Sequence, residues 1–169
     1  MLIAIVGVQM LWFQQSYVTT AAENGGTYAE AVKGPVQTLD PLYATTPAEI
    51  AASRLLFSSL YNLDTTGHVR SDIATSMRNE DDKKFTVAIR HDVKWQDGQS
   101  LKADDIVFTV NLMKNPAARS VMSASWRDID VAKVDDYTVK FTLPASYAAF
   151  PQALTFAILP QHLLKTVEP

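Results

Sequence analysis

Two stretches that alternate strictly between apolar and polar residues constrain the fold of this chain more than any other feature. Phe85, Val87 and Ile89 alternate with polar or small residues, and the run from Tyr137 to Leu143 repeats the same period. A period of two places one face of a strand in a core and the other toward solvent. Turn residues precede both runs, so each run is expected to pair with the segment before it, residues 76–79 and residues 129–134. The sequence thus predicts two antiparallel hairpins.

Two main helices are predicted around these hairpins. Residues 46–49, Thr-Pro-Ala-Glu, are typical of a capping box with proline at the first helical position, and the helix is expected to run to about Tyr61. Asp104 and Asp105 fit the first turn of a second helix, where carboxylates interact favourably with the dipole. Asn115-Pro116 ends it. This order predicts an α+β, or mixed α/β, domain. Smaller elements are expected as a strand over residues 27–32 and a helical stretch over residues 148–154 interrupted by Pro151.

An apolar run opens the chain and is followed by polar residues. Leu2 to Phe13 contains Gln9 as its single polar residue. A bilayer-spanning helix needs roughly 20 apolar residues, and the core of a signal peptide needs roughly 7 to 15. We therefore predict an export or anchor segment with its linker over residues 1–24, ahead of a globular part over residues 25–169. A buried strand is the alternative interpretation of the apolar run.

The chain offers few of the side chains that catalysis or metal binding requires. A net charge of −3 provides no basic field for nucleic acid, and the absence of cysteine excludes disulfides and thiolate sites. Adjacent aspartates, such as Asp104 and Asp105, point in different directions on a helix or turn and fit structural roles. We therefore predict no catalytic residues, no metal and no cofactor. The histidines are well separated in sequence: His68, His91 and His162.

Three segments, in order, resemble a known family. They are GGTYAEAVKGPVQTLDPLYA, IRHDVKWQDGQSLKADDIVFTVNLMKNP and VDDYTVKFTLPASYAAFPQALTFAILPQHLL. Together they resemble the family 5 extracellular solute-binding proteins, which include the oligopeptide and dipeptide receptors of ABC importers, over roughly Gly25 to Lys165. Lys102 departs from the capping Thr or Ser usual in the family. The resemblance implies an incomplete periplasmic-binding-protein type II-like fold. The chain would supply the N-terminal portion, namely the first strands of one lobe and most of a small extra domain.

The resemblance also implies a function and a site. Such a protein binds a peptide or similar small solute outside the cytoplasm and delivers it to a membrane permease, with lobe closure trapping the ligand. A receptor for varied peptides grips their backbone and needs no nucleophile, metal or cofactor. By resemblance, Gly34, Pro35, Val36 and Gln37 would line the cleft, and Ser123 and Trp126 would approach from the side. Trp95 is expected in the core.

Two alternatives stay open at this point. Within the same class, relatives bind nickel chelates, haem or sugars, and this sequence does not separate these ligands from peptides. A membrane-tethered interaction or sensory domain without a complete cleft is the alternative from another class. The chain's length and its hydrophobic start favour that second interpretation, whereas the strand-and-turn motif before Val36 disfavours it.

Overall fold

The computed structural model describes residue 29 and residues 31–166. These residues, from Val32 onward, form one compact unit. The predicted export segment and linker over residues 1–24 lie outside the described residues. Most of the strand predicted over residues 27–32 lies outside them too, and Ala31 and Val32 are not in a strand. None of the helices in the described part of the chain is long and apolar enough to cross a bilayer.

A four-stranded antiparallel sheet is the centre of the fold. Its strands are β3 (Ala74–Glu80), β4 (Lys84–Ile89), β5 (Asp130–Asp135) and β6 (Thr138–Thr142), in the spatial order β3-β4-β6-β5. Both predicted hairpins are therefore confirmed, and the two alternating runs lie side by side as β4 and β6. Phe85 lies opposite Phe141 and Val87 lies opposite Val139, and all four side chains are fully buried. Register shifts typical of bulges interrupt the pairing in β3 between Ala74 and Ser76 and in β5 between Lys133 and Asp135.

The second predicted helix, α2 (Ala103–Lys114), covers the buried face of this sheet. It ends at Asn115, as predicted from the Asn-Pro pair. Ala103, Ile106, Val110 and Met113 recur at helical spacing and are fully buried. This apolar stripe fits against the β strands, and burial of a large aliphatic side chain contributes about 1.5–3 kcal/mol.

Aromatic rings fill the rest of the core. Trp126 packs against Phe156 and Phe150 at centroid distances of 5.0 and 5.9 Å, and Phe141 lies 5.5 Å from Phe150. Such tilted pairs contribute about 0.5–1.5 kcal/mol beyond the area they bury. Trp126 lies in the short helix α3 (Ser123–Trp126), which follows a 3₁₀ turn over Pro116–Ala118.

The first predicted helix is shorter than expected. Helix α1 (Pro47–Leu56) ends ten residues after it begins, because Phe57 has extended backbone and the following residues turn toward the core. Tyr61, predicted near the helix end, instead begins β1 (Tyr61–Leu63), whose Tyr61 N–H donates to Leu154 O at 3.2 Å. Ser59 Oγ donates to Tyr61 O at 2.8 Å, and serines that bond nearby backbone disfavour helix. A long-range pairing thus overrides the local pattern.

Tight turns join the remaining strands. Strand β1 pairs with β2 (Val69–Ser71) across a turn at residues 64–67. Asp81 and Asp82 join β3 to β4 with φ of 56° and 52°, a left-handed pair that suits the twist of a hairpin. Near the C-terminal end, α4 (Phe150–Ala153) and α5 (Gln161–Leu164) are single turns. Pro151 lies in the first turn of α4 and does not interrupt it, contrary to the prediction, because proline needs no hydrogen-bond acceptor there.

Candidate functional site

The four residues predicted to line a cleft form an exposed loop beside the N-terminus of α1. All of Gly34, Pro35, Val36 and Gln37 are exposed, and Val36 keeps 53% of its surface accessible. Gly34 has a φ of +145°, which side chains disfavour. A Cβ at this position would lie 3.8 Å from Ala48 Cβ, so backbone conformation rather than space favours glycine here.

Two hydrogen bonds fix this loop to the helix. Thr46 Oγ1 donates to Pro35 O at 3.3 Å, and Gln37 N–H donates to Glu49 Oε1 at 3.0 Å. The loop is therefore anchored through its backbone, while the Val36 side chain remains accessible. An open backbone beside an accessible apolar side chain is the kind of surface that binds an extended peptide.

The Glu49 carboxylate accepts hydrogen bonds from three backbone N–H groups of this region. Besides Gln37, the N–H groups of Thr45 and Thr46 donate to its Oε2, each at 3.0 Å. The predicted capping box is thus present, with Thr46 Oγ1 accepting from Glu49 N at 3.2 Å. The N–H groups of Thr46, Thr45 and Gln37 lower the pKa of Glu49 from 4.5 to about 2, although burial opposes them. The side chain is 3% exposed and fully ionised at neutral pH.

The turn after the loop has its own anchor at Asp40. Leu42 N–H donates to Asp40 Oδ1 at 2.9 Å, and Asp40 N–H donates to Thr38 Oγ1 at 3.0 Å. Burial raises the pKa of Asp40, and the hydrogen bond from Leu42 opposes that rise. Leu42 is 2% exposed, so this turn connects the loop to the core.

Ser123 and Trp126 lie elsewhere, on α3. Trp126 is 2% exposed and its ring packs in the aromatic core described above. Ser123 is half-buried, and its N–H donates to Ser120 O at 3.1 Å. Helix α3 packs on α2, whereas the Gly34–Gln37 loop is bonded to α1. The contacts of the described residues therefore do not bring the two groups together, and ligand contact by Ser123 or Trp126 stays a prediction.

Helix α2 begins with an arrangement parallel to that of α1. Asp105, at the third helical position, accepts from Lys102 N–H and from the distant Gln161 N–H, both at 2.9 Å. The indole N–H of Trp95 lies 3.4 Å from Asp105 Oδ2, and Trp95 is 9% exposed, which confirms its predicted place in the core. The Lys102 side chain makes no cap and pairs with Asp136 at 2.8 Å instead. Sequence reasoning identified the helix starts and missed both distant partners, Gln37 and Gln161.

Three surface depressions lie away from this loop. One of ≈ 670 Å³ lies where His91 stacks on Tyr137 at 4.0 Å, and it is wide and shallow. One of ≈ 640 Å³ lies between the end of α1 and Asp72, and one of ≈ 400 Å³ lies beside His162, whose Nε2 is 2.7 Å from Asp97 Oδ2. Within residues 31–166 no three His, Asp or Glu side chains lie at metal-holding distance. The loop at α1, which the resemblance implies, remains the candidate site.

Comparison with known families matches residues 68–168 to the bacterial extracellular solute-binding proteins, family 5 Middle. The matched region begins near β2 and includes the whole four-stranded sheet, α2 and the aromatic core. It covers more than half of the chain. The Gly34–Gln37 loop lies ahead of the matched region.

Among curated proteins, the chain is 30% identical over 149 residues to the oligopeptide-binding protein AppA of Bacillus subtilis. The match covers 86% of this chain and 27% of that protein. Among solved structures, NikZ from Campylobacter jejuni in complex with Ni(L-His) superposes with a TM-score of 0.73 and 32% identity, over 80% of this chain and 27% of that one. Bacillus subtilis AppA in complex with a nonapeptide gives a TM-score of 0.69 and 31% identity, over 75% and 26%.

These neighbours are type II periplasmic binding proteins, which confirms the predicted fold class. The chain spans about a quarter of the length of the relatives it matches.

Proposed function

The chain belongs to the bacterial extracellular solute-binding proteins of family 5, and we propose that it contributes to a receptor that binds peptides for an ABC importer. The family consists of solute-binding proteins, which are not enzymes, and its members are periplasmic or extracellular. We extend both properties to this protein. The accessible loop of Gly34 to Gln37, bonded through its backbone to α1, is the observation that carries the proposal.

The loop suits a peptide better than it suits a compact ion. Its accessible residues include the apolar Val36, and the described part of the chain places no metal-holding cluster of carboxylates or imidazoles beside them. Extended peptides bind through main-chain hydrogen bonds, with side chains placed in pockets. The names of the relatives support this choice, since Bacillus subtilis AppA is an oligopeptide-binding protein and is found with a nonapeptide.

The other parts of the proposal follow from the family. Ser123 and Trp126 would act from the side of the cleft, Trp126 by supporting the backbone of α3 from within the core. A membrane permease would receive the peptide. The apolar segment within residues 1–24 would direct the protein out of the cytoplasm or hold it at the membrane.

The proposal is tested by identifying what the native protein carries. The protein is purified from source cells without denaturation, bound molecules are released with acid, and the released fraction is analysed by mass spectrometry. We expect short peptides. Recovery of a metal chelate or a sugar instead would keep the solute-binding role and refute the choice of peptide. Protein that carries nothing and binds no peptide in calorimetry would favour the membrane-tethered interaction domain.

A matched pair of variants tests the loop itself. Val36 in the loop and Val134 on the edge strand β5 are 53% and 57% exposed, so a lysine is equally accessible at either position. We expect Val36→Lys to weaken binding of the recovered peptide by about tenfold or more, which corresponds to about 1.4 kcal/mol. Val134→Lys should leave affinity unchanged. Equal affinities for the two variants in a calorimetric titration would remove the loop from the site.

A further inference from the structure

The structure places one carboxylate between two chain segments that would otherwise be independent. The first segment is the Gly34–Gln37 loop. The second is Thr45 and Thr46, directly before the start of α1. Glu49 Oε1 accepts from the first and Oε2 accepts twice from the second, at 3.0 Å in each case. We infer that Glu49 is a positioning residue, which holds the ligand loop in its binding conformation without touching the ligand. The inference rests on the function proposed above.

An ionised carboxylate suits this place for a chemical reason. Three backbone N–H groups donate to Glu49, and a carboxylate accepts with both oxygens while offering no donor of its own. Glutamine would direct its NH₂ group at one of these donors, so at least one of the three hydrogen bonds would be lost. Because the side chain is 3% exposed, water would not easily replace the missing acceptor.

Glu49 would affect ligand affinity by keeping the Gly34–Gln37 loop ordered in the free protein. A loop that is already fixed loses less conformational freedom when a ligand binds, so its affinity is higher. The Gly34–Gln37 loop is exposed along its length, and it has little packing of its own to fix it. The bond from Gln37 to Glu49 joins residues twelve positions apart and ties the end of the loop to a helix.

The obvious difficulty is that Glu49 also caps α1, so its removal could destabilise the helix itself. Glu49→Asp separates the two roles. An aspartate at the same helical position in α2, Asp105, accepts from its own N-cap N–H at 2.9 Å, so aspartate can serve the cap. Its side chain is one methylene shorter than that of glutamate, and we expect it to retain the bond to Thr46 and lose the bond to Gln37.

The experiment measures amide hydrogen exchange by NMR in the full chain, for the wild type, Glu49→Asp and the control Asp105→Asn. For Glu49→Asp we expect the Gln37 amide to exchange roughly tenfold faster, as loss of one hydrogen bond predicts, while Leu42, held by Asp40, is unchanged. Asp105→Asn should speed exchange at Gln161 and leave Gln37 as in the wild type. The inference is overturned if Gln37 exchanges equally fast in the wild type and Glu49→Asp.

Titration with trialanine then connects loop order to binding. We expect Glu49→Asp to bind about three- to tenfold more weakly than the wild type, with the affinity of Asp105→Asn unchanged. Faster exchange at Gln37 with unchanged affinity would refute the role of Glu49 in binding. If the wild type binds neither trialanine nor the peptide recovered from the native protein, the proposal of a peptide receptor fails, whereas the amide measurement still decides whether Glu49 holds the loop.

Discussion

Helices α1 and α2 each carry an acidic residue at the third helical position that accepts from its own N-cap and from a distant segment. Glu49 does so for Gln37, and Asp105 does so for Gln161. Their surroundings differ. Helix α2 buries a complete apolar stripe against the sheet, whereas the buried residues of α1 are small or polar. Leu55 of α1 is 88% exposed.

This difference indicates which forces hold each region. The sheet with α2 is stabilised by apolar burial, which is strong and non-directional. The segment from the Gly34–Gln37 loop through α1 is held by directed hydrogen bonds to a few acceptors, together with the buried side chain of Leu42. Directed contacts can set a loop geometry closely, and they add little to global stability. The first region therefore serves as a scaffold, and the second presents the candidate site.

The largest expected effect comes from breaking the scaffold. Phe141→Ala removes a fully buried ring that contacts Phe150 and faces Phe85 across the sheet. We expect a loss of about 3–5 kcal/mol in the free energy of unfolding, because transfer and cavity costs add. Urea denaturation followed by tryptophan fluorescence measures it. A loss below about 1 kcal/mol would mean that the aromatic core does not dominate stability.

Lowering the pH is expected to have a smaller effect on stability, and this effect should appear first at the Gly34–Gln37 loop. The pKa of Glu49 is about 2 in the folded chain and 4.5 ordinarily, so folding favours the ionised form. Its contribution is complete above pH 4.5 and declines as pH falls toward 2, because the unfolded state takes up the proton first. NMR should show the Gln37 amide losing protection over this interval.

The sheet provides the internal control for that titration. The amide of Val87, in the central strand β4, should keep its protection while that of Gln37 declines. Simultaneous loss at both positions would show that the loop and scaffold unfold together. Salt offers a second control, since the exposed pair of Lys102 and Asp136 is screened by 0.5 M NaCl whereas the buried Glu49 contacts are not.

The smallest effect is expected on the outer face of α1. Leu55→Ala should change the free energy of unfolding by less than about 0.5 kcal/mol, because the side chain is 88% exposed and loses little contact. The same urea titration measures it against Phe141→Ala. A loss above about 1.5 kcal/mol would show that another part of the protein covers this face in solution.

The scaffold could be predicted from sequence because its interactions repeat. Alternation located both hairpins, and the first-turn aspartates with the Asn-Pro stop located α2. The same approach was wrong at the end of α1, where the helix was expected to run to about Tyr61. The hydrogen bond from Tyr61 N–H to Leu154 O favours a strand at Tyr61, and Leu154 is 93 residues away in sequence.

The candidate site was predictable only in part. The Thr-Pro-Ala-Glu motif revealed a capping box, since its spacing is fixed by helix geometry. The hydrogen bond from Gln37 N–H to Glu49 has no such sequence pattern, because an irregular loop can contact a helix at any sequence spacing. The burial of Trp126 was equally hidden, since a single tryptophan outside a periodic run can face either the core or a ligand.

We propose that a peptide binds at the loop held by Glu49, while the sheet serves as support. Amide hydrogen exchange of the full chain, with and without the peptide recovered from the native protein, tests this most directly. We expect slower amide exchange in the Gly34–Gln37 loop and no change along β4. Protection confined to the depression at His91 and Tyr137, with the loop unaffected, would contradict it and move the site to the sheet.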